Sequence, residues 1–261
     1  MENPYVSRLC YRLVADDGNI FDNPPAVDLK FPETTPAFHM RLENDIADIQ
    51  MIEHYPTEWE AKQCVEQFLR SYEVYASLHH HGRKLFHFEF DKAGTQIVDP
   101  SPTTSGVVNA FGTLTGSGDI KGNAGVIHSR YPRRPEQFVL SPNVEIMWKH
   151  YECYRLMPDL LAMEAYWCLR YLEYLERLVD GGNNARKTAA KRYKIPYKDL
   201  DKLGKLTSTA GDEQTSRKSP GKGPFRPFTQ EQKAWIEATF LTMILRVGKW
   251  EARNDANIEG E

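Results

Sequence analysis

The chain has 261 residues, 41% of them hydrophobic and 26% charged, with a formal net charge of −3, which is enough apolar material for one large core or two modest ones. Disorder throughout is excluded, and no apolar run approaches the roughly 20 residues that cross a bilayer. The start Met1-Glu2-Asn3-Pro4-Tyr5 lacks the basic opening and apolar centre of a secretory signal, so the expectation is a cytoplasmic protein with no membrane contact.

In chain order, the residues predict an α+β fold. A mixed or antiparallel sheet with one packed helix is expected over 1–140, a helical bundle over 141–253 and a frayed acidic tail over 254–261. Tyr5 to Val14 mixes apolar and polar residues as a strand does, and Phe38 to Ile52 reads as another. The stretch between them reads as loop, because Asn23-Pro24-Pro25 and Phe31-Pro32 to Thr35-Pro36 break regular structure: proline lacks a donor and biases its predecessor away from helix. Thr57-Glu58-Trp59-Glu60 is a capping box that should open a helix. Val65, Phe68, Leu69, Tyr72 and Ala76 give that helix one apolar face, and Gly82 suits its end.

From Arg83 to Asp91, Phe86, Phe88 and Phe90 alternate with Leu85, His87 and Glu89, the period of two of a half-buried strand. Thr95 to Val98 is expected to return beside it through Lys92-Ala93-Gly94. Val107 to Thr115 and Asp119 to Ser129 read as a hairpin about Gly116-Ser117-Gly118. All eight histidines precede residue 151. The consecutive His79, His80 and His81 point in different directions and do not converge on a metal, and they suit a helix C-terminus. A metal site using His87 and His128 with nearby carboxylates is the alternative that an enzyme, a hydrolase or nuclease, would need. The four cysteines lie far apart without CxxC spacing, which argues against a disulfide framework or zinc ribbon. No cofactor is expected, since no nucleotide-loop, dinucleotide, GxSxG or HExxH pattern occurs.

In the second half Ser141-Pro142 opens a helix, and Pro158-Asp159 starts another. From Leu160 to Val179 the chain is apolar on much of a helical circumference, which places it centrally in a bundle or at a contact with a protein partner or a second copy. Its aromatic residues, Tyr166, Trp167, Tyr171 and Tyr174, are expected in the core. Thr229-Gln230-Glu231-Gln232 is a second capping box, and the last helix is expected to close near Gly248.

The charge is unevenly spread. Residues 183–233 hold 13 Lys and Arg against 5 Asp and Glu, leaving 20 against 31 elsewhere. Within that basic segment Ala190, Ile195 and Leu200 fall on the apolar positions of two short helices joined by a tight turn. Residues 186–206 resemble the helix-turn-helix motifs of small DNA-binding domains, of the form Ala-Ala-x-x-Tyr-x-Ile-Pro. Lys194 departs from the motif where glycine usually relieves the turn, and Asp199 and Asp201 put negative charge on the second helix. The resemblance implies a surface for nucleic acid or an acidic partner. Its candidate contacts are Lys187, Lys191, Arg192, Lys194 and Lys198, with Arg217, Lys218 and Lys222 from the basic loop that follows. The expected role is that of a non-enzymatic binding or scaffold protein.

Across its length the order of parts resembles a group of bacterial proteins with no established activity. The matching parts are the helix Ala61 to Leu78 with its aromatic strand, Tyr131-Pro132 to Ser141-Pro142, the Ala165-Tyr166 helix, Ala189 to Gly211-Asp212, and Lys233-Ala234-Trp235-Ile236-Glu237-Ala238. That resemblance implies a compact single unit.

Overall fold

A computed structural model of the chain describes residues 5–16, 18–30, 38–98, 126–180, 184–212, 215 and 226–258. The architecture is α+β, with an antiparallel sheet in the first half and several helices in the second. Instead of the single unit that the bacterial resemblance implies, internal contacts divide it into two, Met1–Arg134 and Pro135–Glu261.

The first unit contains β1 (Tyr5–Ala15), β2 (Asn19–Phe21), β3 (Val27–Lys30), β4 (Phe38–Glu43), β5 (Ile46–Tyr55), α1 (Glu58–His79), β6 (Phe86–Phe90), β7 (Gln96–Val98) and β8 (Val126–His128). Its main sheet runs β3-β4-β5-β1-β6, with β7 also on β1, and every pairing is antiparallel. A bulge between Val6 and Arg8 shifts the alternation of β1, so Val6 and Leu9, three residues apart, both belong to the core with Tyr11 and Leu13. Helix α1 starts on the expected capping box: Thr57 Oγ1 accepts the Glu60 N–H at 3.2 Å, and Glu60 accepts the Thr57 N–H at 3.2 Å. Ala61, Val65, Leu69, Tyr72 and Ala76 carry its apolar face into the same core as the sheet. One polar residue of α1 also serves the sheet, since the buried Glu73 carboxylate accepts the Phe88 N–H of β6 at 2.8 Å.

Several strands differ from the sequence reading. Phe38 to Ile52 is a hairpin, β4 to β5, because Asn44 and Asp45 both take positive φ, 50° and 59°, as a two-residue turn of matching twist requires. Val27–Lys30, within the stretch read as loop, adds an edge strand to β4. β7 does not return along β6. It pairs with Tyr5, Val6 and Arg8 while β6 takes Tyr11 to Ala15, so the two share one side of β1 and run the same way. Of the expected hairpin over 107–129, residues up to 125 lie outside the described residues. The part that is described, β8, pairs parallel with β2.

The second unit contains α2 (Pro142–Leu156), a short 3-10 turn (Pro158–Leu160), α3 (Leu161–Asp180), α4 (Ala185–Arg192), α5 (Tyr197–Thr209) and α6 (Gln230–Ile258). Two of the three predicted starts carry side-chain caps, since Ser141 Oγ accepts the Val144 N–H at 3.2 Å and Thr229 and Gln232 exchange bonds of 3.1 and 2.9 Å, whereas Pro158 opens only the 3-10 turn, without such a cap. Helix α3 is central, touching α2, α4, α5 and α6, with Ala165, Cys168, Leu169 and Leu172 fully buried. Its aromatic residues are not core. Trp167 and Tyr174 are exposed, and the rings of His150, Trp167, Tyr171 and Tyr174 stack on one another along its outer side. Helix α6 does not close near Gly248 but runs on to Ile258, so residues 254–258 are helical, and 259–261 lie outside the described residues. Gly248 is there for packing: the Phe138 ring lies where a side chain would begin. Among the described residues no helix is long and apolar enough to cross a membrane.

Candidate polyanion-binding surface

The two helices expected from the helix-turn-helix pattern are α4 and α5, and the turn between them is a helix C-cap built from backbone bonds. Tyr193 caps α4, the Ile195 N–H bonds Ala190 O at 2.9 Å, and the Lys194 N–H reaches Lys191 O at 3.3 Å. This is the Schellman arrangement, which needs a left-handed residue just past the cap. Lys194 supplies it at φ 54°, in place of the glycine that would adopt it without steric cost. Ala189, Ala190, Tyr193, Ile195, Leu200 and Leu203 are buried, so the apolar grammar of the segment is spent on packing α4 and α5 against their neighbours.

What that packing leaves outward is basic. Lys187, Lys191, Lys194 and Lys198 are exposed, and the Lys187 ammonium lies 5.9 Å from the centre of the Tyr197 ring. Arg192 differs from these lysines in being engaged within the helical unit. Its Nε sits 3.1 Å from the buried Glu176 carboxylate and its guanidinium lies 5.4 Å over the Trp250 ring, so it braces α4 against α3 and α6. Arg217, Lys218 and Lys222 lie outside the described residues. Asp201, expected to repel phosphate, is neutralised where it stands: Lys205 Nζ is 2.7 Å away and Arg186 Nη1 3.4 Å. The Lys205 hydrogen bond, with help from Arg186, holds the Asp201 carboxyl below its ordinary range, against a weaker opposing effect of burial.

Two clefts open on this face. A further cleft, of about 480 Å³, belongs to the sheet of the first unit and is nearly balanced in charge, with Arg8 and Asp48 paired at 2.6 Å and Arg41 near Asp28. Of those on the hairpin, the first has about 260 Å³ and is lined by Arg170, Arg177, Arg186 and Lys187 against the single carboxylate of Glu173. The second has about 580 Å³ and is lined by Lys198, Lys202 and Lys205 against Asp201. Tyr197 borders both. Glu173 is buried at 3% exposure and holds the arginines in place: it accepts from Arg186 Nε at 2.7 Å, bonds Arg170, and lies 3.9 Å from Arg177. Arg186 crosses α5 at Gly204, where a Cβ would come within 3.0 Å of its guanidinium. Arg170 and Arg177 are invisible to the hairpin pattern because they belong to α3. Their spacing of seven, which puts both on one face of a helix, is the signal that could have found them.

The histidines of the first unit do not form the alternative metal site. His87 Nδ1 lies 2.8 Å from Asp16 and Nε2 lies 3.2 Å from Glu89, while His128 Nε2 lies 2.8 Å from Asn19 Oδ1. Both nitrogens of His87 are thus committed to carboxylates, and among the described residues no group of three or more His, Cys, Asp or Glu is placed to hold a metal ion. Burial lowers the His87 pKa, but the bonds to Asp16 and then Glu89 outweigh it, so the net shift is upward from 6.5. His80 shifts down, through burial and then the neighbouring His128, His79 and His81. A raised pKa means that the protonated His87 stabilises the fold fully below about pH 6.5, and that this contribution is lost as pH rises through the folded value. His87→Gln is therefore expected to lower the urea midpoint at about pH 5.5 and to leave it nearly unchanged at about pH 9. An equal loss at both values would contradict the Asp16 pairing as its source.

No family model, no curated protein and no solved structure matches the chain.

Proposed function

We propose that this is a non-enzymatic binding protein that holds the phosphate backbone of nucleic acid on the α4–α5 hairpin. The observation that carries the reading is the meeting of two basic clefts at Tyr197, with seven Lys and Arg side chains against the carboxylates of Glu173 and Asp201. A surface of one sign set in concave walls concentrates field and draws a polyanion, and phosphate contacts need no specific base. The neutralised Asp201 removes a charge that would have opposed it.

Binding of labelled oligonucleotides by fluorescence anisotropy tests this directly. Affinity should fall by about a hundredfold or more between about 50 and 200 mM salt, as expected for four or more phosphate contacts. Lys187→Glu with Lys198→Glu, both at exposed positions, should abolish the signal while leaving the far-UV circular dichroism unchanged. Absence of binding at micromolar wild-type protein and low salt would reject the reading, and retention of an acidic peptide alone would redirect it to a protein partner.

A further inference from the structure

We infer that the hairpin surface selects single-stranded over double-stranded nucleic acid, with a phosphate in the arginine-lined cleft and an adjacent base stacked on Tyr197. This rests on the reading above and adds the strand state and a division of labour between residues. The first cleft, about 260 Å³, has room for a phosphate with its sugar. Its guanidiniums are set before any ligand arrives, because buried Glu173 fixes Arg186 at 2.7 Å and Gly204 gives that side chain its path across α5. Arginine presents planar forks of N–H donors that match phosphate oxygens, and Glu173 uses only part of them.

Tyr197 is the second element. Its side chain is exposed at 43%, and its ring borders both clefts, so a strand passing from Arg186 toward Lys198 must cross it. A base can stack on that ring only where the strand leaves its bases free, since a duplex keeps their faces inside. A charged groove that tracks the backbone, interrupted by an exposed aromatic face, is the physical pattern of single-strand binding.

The test compares the full chain on a 12-nucleotide strand, its duplex, and an abasic strand of equal length, alongside Tyr197→Ala, Tyr197→Trp and Arg177→Ala. Wild type should hold the single strand about tenfold tighter than the duplex, and Tyr197→Ala should lose about tenfold on the base-bearing strand only. Tyr197→Trp should retain the wild-type preference. Arg177→Ala should weaken the base-bearing and abasic strands alike and lower the salt slope by about one. Arg177 is about half exposed, and its Nη2 lies 3.9 Å from Glu173 Oε2, beyond hydrogen-bond distance, so the variant keeps the fold. Equal or tighter duplex binding, or equal loss on both strands in Tyr197→Ala, overturns the inference while leaving phosphate binding intact. No binding to any of the three overturns both.

Discussion

Gly248→Ala is expected to destabilise the helical unit by about 2 kcal/mol, against the usual gain from placing alanine in a helix. Glycine inside a helix is about 1 kcal/mol worse than alanine because its backbone loses more freedom on folding. At this position a Cβ would lie 2.3 Å from Phe138 Cε2 and 2.6 Å from Cδ2, and Phe138 is 7% exposed. The Val139 N–H also donates to Gly248 O at 3.2 Å, which ties that segment to the helix and limits retreat of the ring. Forcing a methyl into such a contact costs about 1 to 3 kcal/mol, and a rigid aromatic ring facing it puts the cost at the upper end. The net follows from the two terms. In a Phe138→Ala background the obstacle is gone, so the same Gly248→Ala change should stabilise by up to about 1 kcal/mol. Urea denaturation followed by tryptophan fluorescence reads the right unit, since four of the five tryptophans lie beyond residue 134. Stabilisation by Gly248→Ala in the wild-type background would contradict the close approach.

Glu173→Gln should cost about 2 kcal/mol of stability and, if the basic clefts bind polyanions as proposed, tighten oligonucleotide binding severalfold at low salt. Removing one partner of a buried ion pair costs about 3 to 5 kcal/mol where the remaining charge stays buried. Here Arg170 and Arg186 keep side-chain exposures of 44% and 25%, so water recovers part of the loss and the smaller figure applies. Glutamine keeps the shape and can still accept one N–H, but it no longer offsets the four cations around it. Paired denaturation and anisotropy measurements separate the effects. Unchanged stability would show that the arginines are held without Glu173, and weaker binding would show that their placement matters more than their charge.

Much of the first unit could be read from short stretches of chain. The capping box at Thr57, the stripe of α1 and the alternation about Phe86 and Phe88 involve residues within a turn or a few pleats of one another, where local geometry decides. The hairpin at Asn44-Asp45 was legible in principle, since Asn and Asp tolerate left-handed backbone, but the apolar residues around it conceal the break. The partner of β7 was not legible. Three residues, Gln96 to Val98, carry too little pattern to choose between β6 and the free stretch of β1.

The candidate surface divides in the same way. The exposed lysines of α4 and α5 could be named because they are neighbours in a basic segment that also carries its own helix grammar. Arg170 and Arg177 of the cleft come from α3, and only the packing of α4 on α3 at Glu173 brings Arg186 to them.

By itself the sequence determined the α+β division, the helix starts, the paired short helices and the concentration of positive charge over residues 183–233. Each depends on periodicity, capping or composition within a short stretch. Tertiary structure alone decided the fate of individual charges: Arg192 turned inward to Glu176, Arg186 of α4 brought to 3.4 Å from Asp201 of α5, and the same Arg186 lying across Gly204. The reason is that a long charged side chain takes its role from whichever element passes within a few ångströms of its end, and that neighbour is set by packing between distant parts of the chain.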